Sequence, residues 1–189
     1  MRGAADANPD PPPPAAGVRA VLDGIPLALR MIVYGVSFLA LMLGLLPYAA
    51  SRLDVLYPAC HVELPTALRV AGGALFAAAF AIYVWSSLLL SYHGRGAYVE
   101  FDPPRQLVTT GPFSWCRNPI AACVVLMLLG LGLAWPSTGI LLLAVIAVPI
   151  AHAQVVLLEE PLLRKRFGAT FDLHAARVPR WLPRPPRSP

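Results

Sequence analysis

Four long apolar segments, separated by short polar connections, dominate the hydropathy pattern of this chain. They cover about residues 27–50, 67–91, 119–135 and 138–158. A helix needs about 20 apolar residues to cross the hydrocarbon core of a bilayer, and each segment reaches or nearly reaches that length. The pattern therefore predicts an all-α integral membrane bundle of about four transmembrane helices. The tight Pro136-Ser137 turn predicts that the last two helices form an antiparallel hairpin.

The sequence around these segments predicts the domain boundaries. Residues 1–17 are rich in proline and alanine, which predicts a disordered N-terminus. Residues 18–182 form the predicted membrane domain, and residues 183–189 a disordered tail rich in proline and arginine. After the fourth segment, Pro161 is expected to open a short interfacial helix that ends near Phe171. The alternative for this helix is a lid over a binding site.

Composition supports membrane embedding and excludes an ordinary soluble domain. Hydrophobic residues make up 57% of the chain and charged residues only 13%, whereas soluble domains carry about 25% charged residues. The net charge is +5, and the basic residues gather near the ends of the apolar segments and in the tail. This placement favours anionic lipid headgroups, and not nucleic acid, as partners. The three cysteines, Cys60, Cys116 and Cys123, form no CxxC pair, so neither a disulfide framework nor a metal site is predicted.

The placement of arginine and lysine predicts the orientation of the helices. The connection between the second and third segments has three arginines, and seven basic residues follow the fourth segment. The first connection has Arg52 and Arg69, and the connection between the third and fourth segments has no basic residue. This bias predicts that both termini are cytoplasmic. It also places residues 107–119 and the adjacent carboxylates Glu159 and Glu160 at the same face of the membrane.

Residues 107–119 form a polar hinge punctuated by glycine and proline. Gly111 permits a turn and a close approach of a ligand, and Pro112 fixes φ. Asn118 precedes a proline and is biased away from helix, so that Pro119 is suited to the first turn of the third helix. The unpaired amides at such a helix start favour an anionic group. The alternative interpretation is an ordinary junction between a loop and a helix.

Glu159 and Glu160 form the second polar feature, directly after the fourth apolar segment. Charges so close to a membrane span are costly and usually mark a functional site. Their carboxylates would accept hydrogen bonds from ribose hydroxyls or attract a cationic ligand. The alternative is that both side chains reach from the interface into water.

The order of these elements resembles a known superfamily. Leu-x-Thr-x-Gly-Pro-Phe, Arg-x-Pro, an apolar hairpin, Glu-Glu-x-x-Leu and Phe-Gly-x-x-Phe follow one another in the last half of the chain. This order resembles that of the isoprenylcysteine carboxyl methyltransferase and phospholipid methyltransferase superfamily. The tail Val-Pro-Arg-Trp-Leu-Pro, residues 178–183, resembles the closing signature of its bacterial members. The resemblance implies a bacterial inner membrane location.

The resemblance also implies S-adenosylmethionine as cofactor, bound by three elements of residues 18–182. The matching positions, and hence the predicted cofactor-binding residues, are Gly111, Pro112, Phe113, Arg117, Asn118, Pro119, Glu159 and Glu160. Asn118 stands where the family has histidine, and Ala121 where it has tyrosine. Asparagine can still donate and accept hydrogen bonds, and phospholipid N-methyltransferases also have Asn-Pro here. Alanine removes an aromatic surface and a hydroxyl group.

The implied function is methyl transfer to a lipophilic acceptor, either a prenylcysteine-type carboxylate or a phospholipid amine. Because the sulfonium already activates the methyl group, alignment of the reactants can supply most of the acceleration. No catalytic residue is assigned. His93 and His152 are candidates for polar roles, with ordinary helix histidines as the alternative. The rival function is a non-catalytic membrane scaffold, or a transport or assembly partner, that retains the fold. The oligomeric state stays open.

Overall fold

The protein is an all-α membrane bundle, as its apolar segments predict. A computed structural model describes residues 24–94 and 106–184, and within those ranges it contains helices and no strand. The predicted disordered N-terminus lies outside the described residues, as do residues 185–189 of the predicted tail and three of the arginines used for orientation, Arg95, Arg105 and Arg187.

Two long helices make up the N-terminal half. The first comprises α1 (Leu27–Leu39), a π-helical segment (Ala40–Leu45) and α2 (Leu46–Leu56). It continues beyond the predicted end near residue 50, because the polar residues that end the apolar segment do not interrupt the helical backbone. A single 3₁₀ turn, Pro58–Cys60, leads toward α3 (Thr66–Gly94).

The second half contains the predicted hairpin. A one-turn helix, α4 (Pro112–Trp115), precedes α5 (Pro119–Ala134), and a tight turn connects α5 to α6 (Thr138–Gln154). A π turn (Val155–Glu159) then joins α6 to α7 (Glu160–Phe167), and α8 (Ala169–Arg177) follows. Of the described helices, three are long and apolar enough to cross a membrane, namely Ala28–Leu56, Thr66–Gly94 and Thr138–Phe167. The third predicted span, α5, is shorter.

The C-terminal helix has bounds that differ from the prediction. Pro161 does not open a separate helix, since α7 continues directly from the π turn. The change in hydrogen-bond register at the π turn accommodates a proline, which lacks an amide hydrogen. The break comes at Gly168, whose φ of 50° is a conformation that favours glycine. Consequently α8 is a distinct helix that ends at Arg177.

Close packing of α3 against α5 forms the centre of the bundle. Small residues permit it: a Cβ on Gly72 would lie 2.8 Å from the carbonyl oxygen of Gly130, and a Cβ on Gly130 would lie 2.8 Å from the amide nitrogen of Phe76. Met127 and Leu128 of α5 are fully buried beside this contact. The α3–α5 contact therefore uses Gly72 and Gly130, as expected for helices that pack through small residues.

The two adjacent glycines of α3 provide a direct test of this packing. We expect Gly72→Ala to lower the free energy of unfolding by about 1–3 kcal/mol, because the new methyl group would meet backbone that cannot move aside. Gly73→Ala is the matched control, since a Cβ there meets no atom within 4 Å. Thermal denaturation of both variants in detergent measures the difference. Equal destabilisation by both would contradict the assigned packing.

Candidate functional site

The predicted hinge packs against the last turns of α3. Gly111 has a φ of 60° and a ψ of −135°, which strongly favours glycine, and a Cβ there would lie 2.5 Å from Cδ1 of Leu89. The Ser114 amide and hydroxyl both donate to the Gly111 carbonyl, at 2.9 Å and 2.7 Å. The ring of Trp115 meets Trp85 of α3 edge to face, with 5.4 Å between centroids. The turn is therefore fixed to α3 on one side.

The next hinge residues lead into α5. Pro112 and Pro119 are buried, and Phe113 is half-buried. Pro119 occupies the first turn of α5, as predicted. Asn118 is buried, and its Nδ2 donates to the Arg180 carbonyl oxygen at 3.2 Å. The amide group of Asn118 is thus a structural contact between the hinge and the C-terminal residues. Ala121 is half-buried in the first turns of α5.

A buried carboxylate binds two arginines where the hinge meets α7. Oε1 of Glu160 accepts from Nε of Arg180 at 2.7 Å and lies 3.1 Å from Nη1 of Arg117. Oε2 of Glu160 accepts from Nη2 of Arg180 at 2.8 Å. The side chains of Glu160, Arg117 and Arg180 are 8%, 13% and 33% exposed. We call these three residues the Glu160 cluster. The fork geometry of Arg180 on both oxygens is the strong form of this interaction.

The Glu160 cluster carries more positive than negative charge. Two guanidinium groups face one carboxylate, and Nε of Arg117 is buried without a hydrogen-bond partner among the described residues. Burial lowers the pKa of Arg117, and the nearby Glu160 opposes that effect; a guanidinium nevertheless stays protonated. The hydrogen bond to Glu160 raises the pKa of Arg180. A buried cation with an unused donor is costly unless an anion approaches it.

Glu159 and Glu160 point to different surroundings. Glu160 is buried in the cluster, whereas Glu159 is exposed and makes no ion pair with the residues that the structure describes. The π turn explains why Glu160, and not Glu159, is the buried glutamate. It inserts one extra residue into the helix and rotates the residues that follow it. Glu160 then lies toward the face of His152, since the consecutive residues Arg180 and Trp181 contact Glu160 and His152. A regular helical period would have selected Glu159 for that face.

Helix α8 brings the chain back to the site. Arg164 of α7 pairs with Asp172 of α8 at 2.8 Å, and its guanidinium lies 5.6 Å from the centre of the Phe171 ring. Phe171 is 2% exposed, so α8 is anchored against the bundle. Burial and the neighbouring Arg117 lower the pKa of His174 below its ordinary value, which indicates that this part of α8 faces the positive cluster.

Residues 178–184, which we call the C-terminal strap, close the site. The Arg117 amide donates to the Pro179 carbonyl oxygen at 2.9 Å, and the Arg184 amide donates to the Trp115 carbonyl oxygen at 3.1 Å. Nε1 of Trp181 donates to Nδ1 of His152 at 3.1 Å. The strap thus connects the hinge to α6 and α7. Its Arg180 and Trp181 were not among the predicted site residues, and the Val-Pro-Arg-Trp-Leu-Pro motif was the signal that pointed to them.

The structure brings together residues from all the predicted elements except one glutamate. The hinge, which includes Arg117 and Asn118, lies together with Glu160 at one end of the bundle. Glu159 lies beside them on the outer face. Within residues 24–94 and 106–184, no group of three or more His, Cys, Asp or Glu side chains is arranged to hold a metal ion. Cys116 and Cys123 are buried as free thiols, and Cys60 is exposed.

Comparison with known proteins identifies the family. The model of the phospholipid methyltransferase family matches residues 68–170, more than half of the chain, and the chain therefore belongs to that family. This confirms the superfamily predicted from the order of motifs. The matched region contains the hinge, both glutamates and the close contact of α3 with α5, but not the C-terminal strap.

Two relatives are similar over a shorter stretch. The nickel-cobalt-cadmium resistance protein NccN of Alcaligenes xylosoxydans xylosoxydans is 33% identical over 87 residues. The cobalt-zinc-cadmium resistance protein CzcN of Cupriavidus metallidurans is 32% identical over 87 residues. Each alignment covers 46% of this chain and 40% of the relative, so the similarity spans less than half of either protein. No solved structure matches the chain.

Proposed function

We propose that this member of the phospholipid methyltransferase family transfers a methyl group from S-adenosylmethionine to a lipophilic acceptor at the membrane. The observation that carries the proposal is that Nε of Arg117 is buried without a hydrogen-bond partner among the described residues, in a cluster with excess positive charge. The cluster lies next to the hinge and within the family-matched part of the chain, apart from Arg180. The site is thus suited to a ligand that carries an anionic group.

The residues present fit the charged groups of S-adenosylmethionine. Arg117 would receive its carboxylate, because the guanidinium has a donor to spare. Glu159, exposed at the edge of the cluster, would attract its cationic groups. Gly111 would let the hinge backbone approach the ligand closely, as a residue without Cβ permits. When bound, S-adenosylmethionine supplies an activated methyl group on a sulfonium.

The acceptor is proposed to reach the site from the bilayer. The cluster lies at an end of a bundle with three helices long and apolar enough to cross a membrane, which supports a position near the headgroups. We assign no general base: a carboxylate acceptor needs none, an amine acceptor would release its proton to water, and orientation of the reactants supplies most of the acceleration. Prenylcysteine-type carboxylates and phospholipid amines are both acceptors of the proposed class. We place both termini, and the site, on the cytoplasmic side of a bacterial inner membrane.

A second candidate function is a non-catalytic role beside membrane components of metal resistance. Two observations favour it: both similar relatives bear the names of metal-resistance proteins, and Ala121 replaces the tyrosine of the family pattern. In this role the chain would keep the scaffold and the Glu160 cluster but would transfer no methyl group. The two candidates differ in one property that is simple to measure, which is binding of S-adenosylmethionine.

Binding to the purified protein tests the proposal. We expect S-adenosylmethionine and S-adenosylhomocysteine to bind the parent protein in lipid nanodiscs, as measured by calorimetry. Arg117→Gln should weaken binding by about tenfold or more, the effect of losing a hydrogen bond to a charged group. Arg177→Gln, an exposed arginine of α8, is the control and should bind like the parent. A parent protein that binds neither compound would favour the non-catalytic role.

Transfer of labelled methyl groups then identifies the acceptor class. Incubation with total membrane lipids tests amine acceptors, and incubation with small lipophilic acids tests carboxylates. A labelled product in either arm, absent for Arg117→Gln, supports catalysis. Binding without any labelled product would show that the cofactor site persists in a protein that does not use these acceptors.

A further inference from the structure

The C-terminal strap lies outside the family-matched residues, yet its Arg180 makes more hydrogen bonds to the Glu160 carboxylate than Arg117 does. Arg180 makes two hydrogen bonds to the Glu160 carboxylate, whereas Arg117 makes one contact through Nη1. The Arg180 carbonyl oxygen also accepts from Asn118. One strap residue therefore contacts both the hinge and α7, which are the two elements of the proposed site.

We propose that Arg180 is a positioning residue of the site, because it occupies both oxygens of Glu160 and so leaves Nε of Arg117 available to an anionic ligand. This inference rests on the proposed function for the identity of the ligand. Arg180 itself need not touch the ligand.

The geometry explains why two arginines are needed. A carboxylate beside a single guanidinium forms a bidentate pair, in which both oxygens accept hydrogen bonds from that arginine. The N–H groups that donate these bonds are then not available to a ligand. Here Arg180 has taken that arrangement, and Arg117 is held at 3.1 Å from Oε1 alone. Without Arg180, Arg117 would be expected to turn its fork onto Glu160. The unused donor, and the excess positive charge, would then be lost together.

The strap also fixes the backbone from which Arg117 projects. The Arg117 amide is bonded to the Pro179 carbonyl oxygen, immediately before Arg180. Release of Arg180 should therefore loosen the hinge as well as redirect the Arg117 side chain. This second effect does not require any ligand and provides an independent measurement.

Chemical rescue tests the inference. Arg180→Ala should weaken binding of S-adenosylhomocysteine by about ten- to hundredfold, and guanidinium ion at sub-denaturing concentration should restore most of the affinity. Sodium chloride at the same ionic strength should not. Guanidinium ion can reach the position that Arg180 vacates, because the Arg180 side chain is 33% exposed in the parent protein. Arg180→Lys should recover only part of the affinity, since an ammonium cannot form the fork. Arg177→Ala is the matched control, with parent-like affinity and no response to guanidinium.

Hydrogen exchange without ligand provides the second arm. Amide exchange in residues 115–118 should rise in Arg180→Ala and fall again when guanidinium is added. Parent-like affinity of Arg180→Ala would overturn the inference, as would a loss of affinity and protection that guanidinium does not reverse. If the parent protein binds no S-adenosylhomocysteine, the proposed function fails separately, and the exchange arm alone decides whether Arg180 positions the hinge. Unchanged exchange in Arg180→Ala would overturn the positioning role in that case.

Discussion

Replacement of Glu160 by glutamine is expected to abolish cofactor binding and to lower the free energy of unfolding by about 3–5 kcal/mol, the cost of breaking a buried ion pair from one side. Glutamine has the shape of glutamate but no charge. Arg117, whose side chain is mostly buried, and the partly exposed Arg180 would then both lose the counter-ion that lies 3.1 Å and 2.7 Å from them. Their mutual repulsion should separate the C-terminal strap from the hinge.

Glu159→Gln is the matched control for this prediction. The two glutamates are adjacent, but Glu159 is exposed and has no ion-pair partner among the described residues. We expect its replacement to leave the free energy of unfolding within about 0.5 kcal/mol of the parent value. Cofactor affinity should fall modestly, since the proposed role of Glu159 is attraction of a cationic group. Chemical denaturation and calorimetry on both variants measure these effects, and similar unfolding by both would refute the assignment of Glu160 as the buried partner.

The elements that sequence reasoning predicted are those set by composition and local chemistry. Apolar length predicted the helices, and the glycine and proline of the hinge predicted a turn at Gly111 and a helix start at Pro119. The order of motifs predicted the family, which the comparison confirms. Each of these features depends on a few neighbouring residues, so it can be predicted from a single sequence.

The features that the sequence did not predict depend on distant pairs or on small changes in helical register. Nothing local to Arg180 indicates that its carboxylate partner lies twenty positions earlier in the chain. The π turn likewise decides which of two adjacent glutamates is buried, and hydropathy does not distinguish it from a regular turn. The break at Gly168, and with it the separate helix α8, depends on one positive φ.

The opposite end of the bundle contains a second contact that hydropathy does not reveal. The Ser137 hydroxyl donates to Oδ2 of Asp54, and the Gly139 amide donates to Oδ1 of Asp54 at 3.2 Å. Ser137 also accepts from the Ile140 amide at 3.1 Å, which caps the start of α6. Asp54 of α2 thus joins the first long helix, which precedes the family-matched residues, to the hairpin of α5 and α6.

Asp54→Ala is therefore expected to be the most destabilising change outside the site. It leaves the Ser137 hydroxyl, in a residue only 1% exposed, and the Gly139 amide without their acceptor. Each unsatisfied buried group costs about 1–3 kcal/mol, so we expect the two together to lower the free energy of unfolding by about 2–6 kcal/mol. Asp54→Asn keeps one acceptor oxygen and should lose less stability.

Because Asp54 lies at the far end of the bundle, the cofactor affinity of the folded variants should match that of the parent. Denaturation in detergent measures the first effect and calorimetry the second; parent-like stability of Asp54→Ala would show that this contact does not hold the first helix to the hairpin.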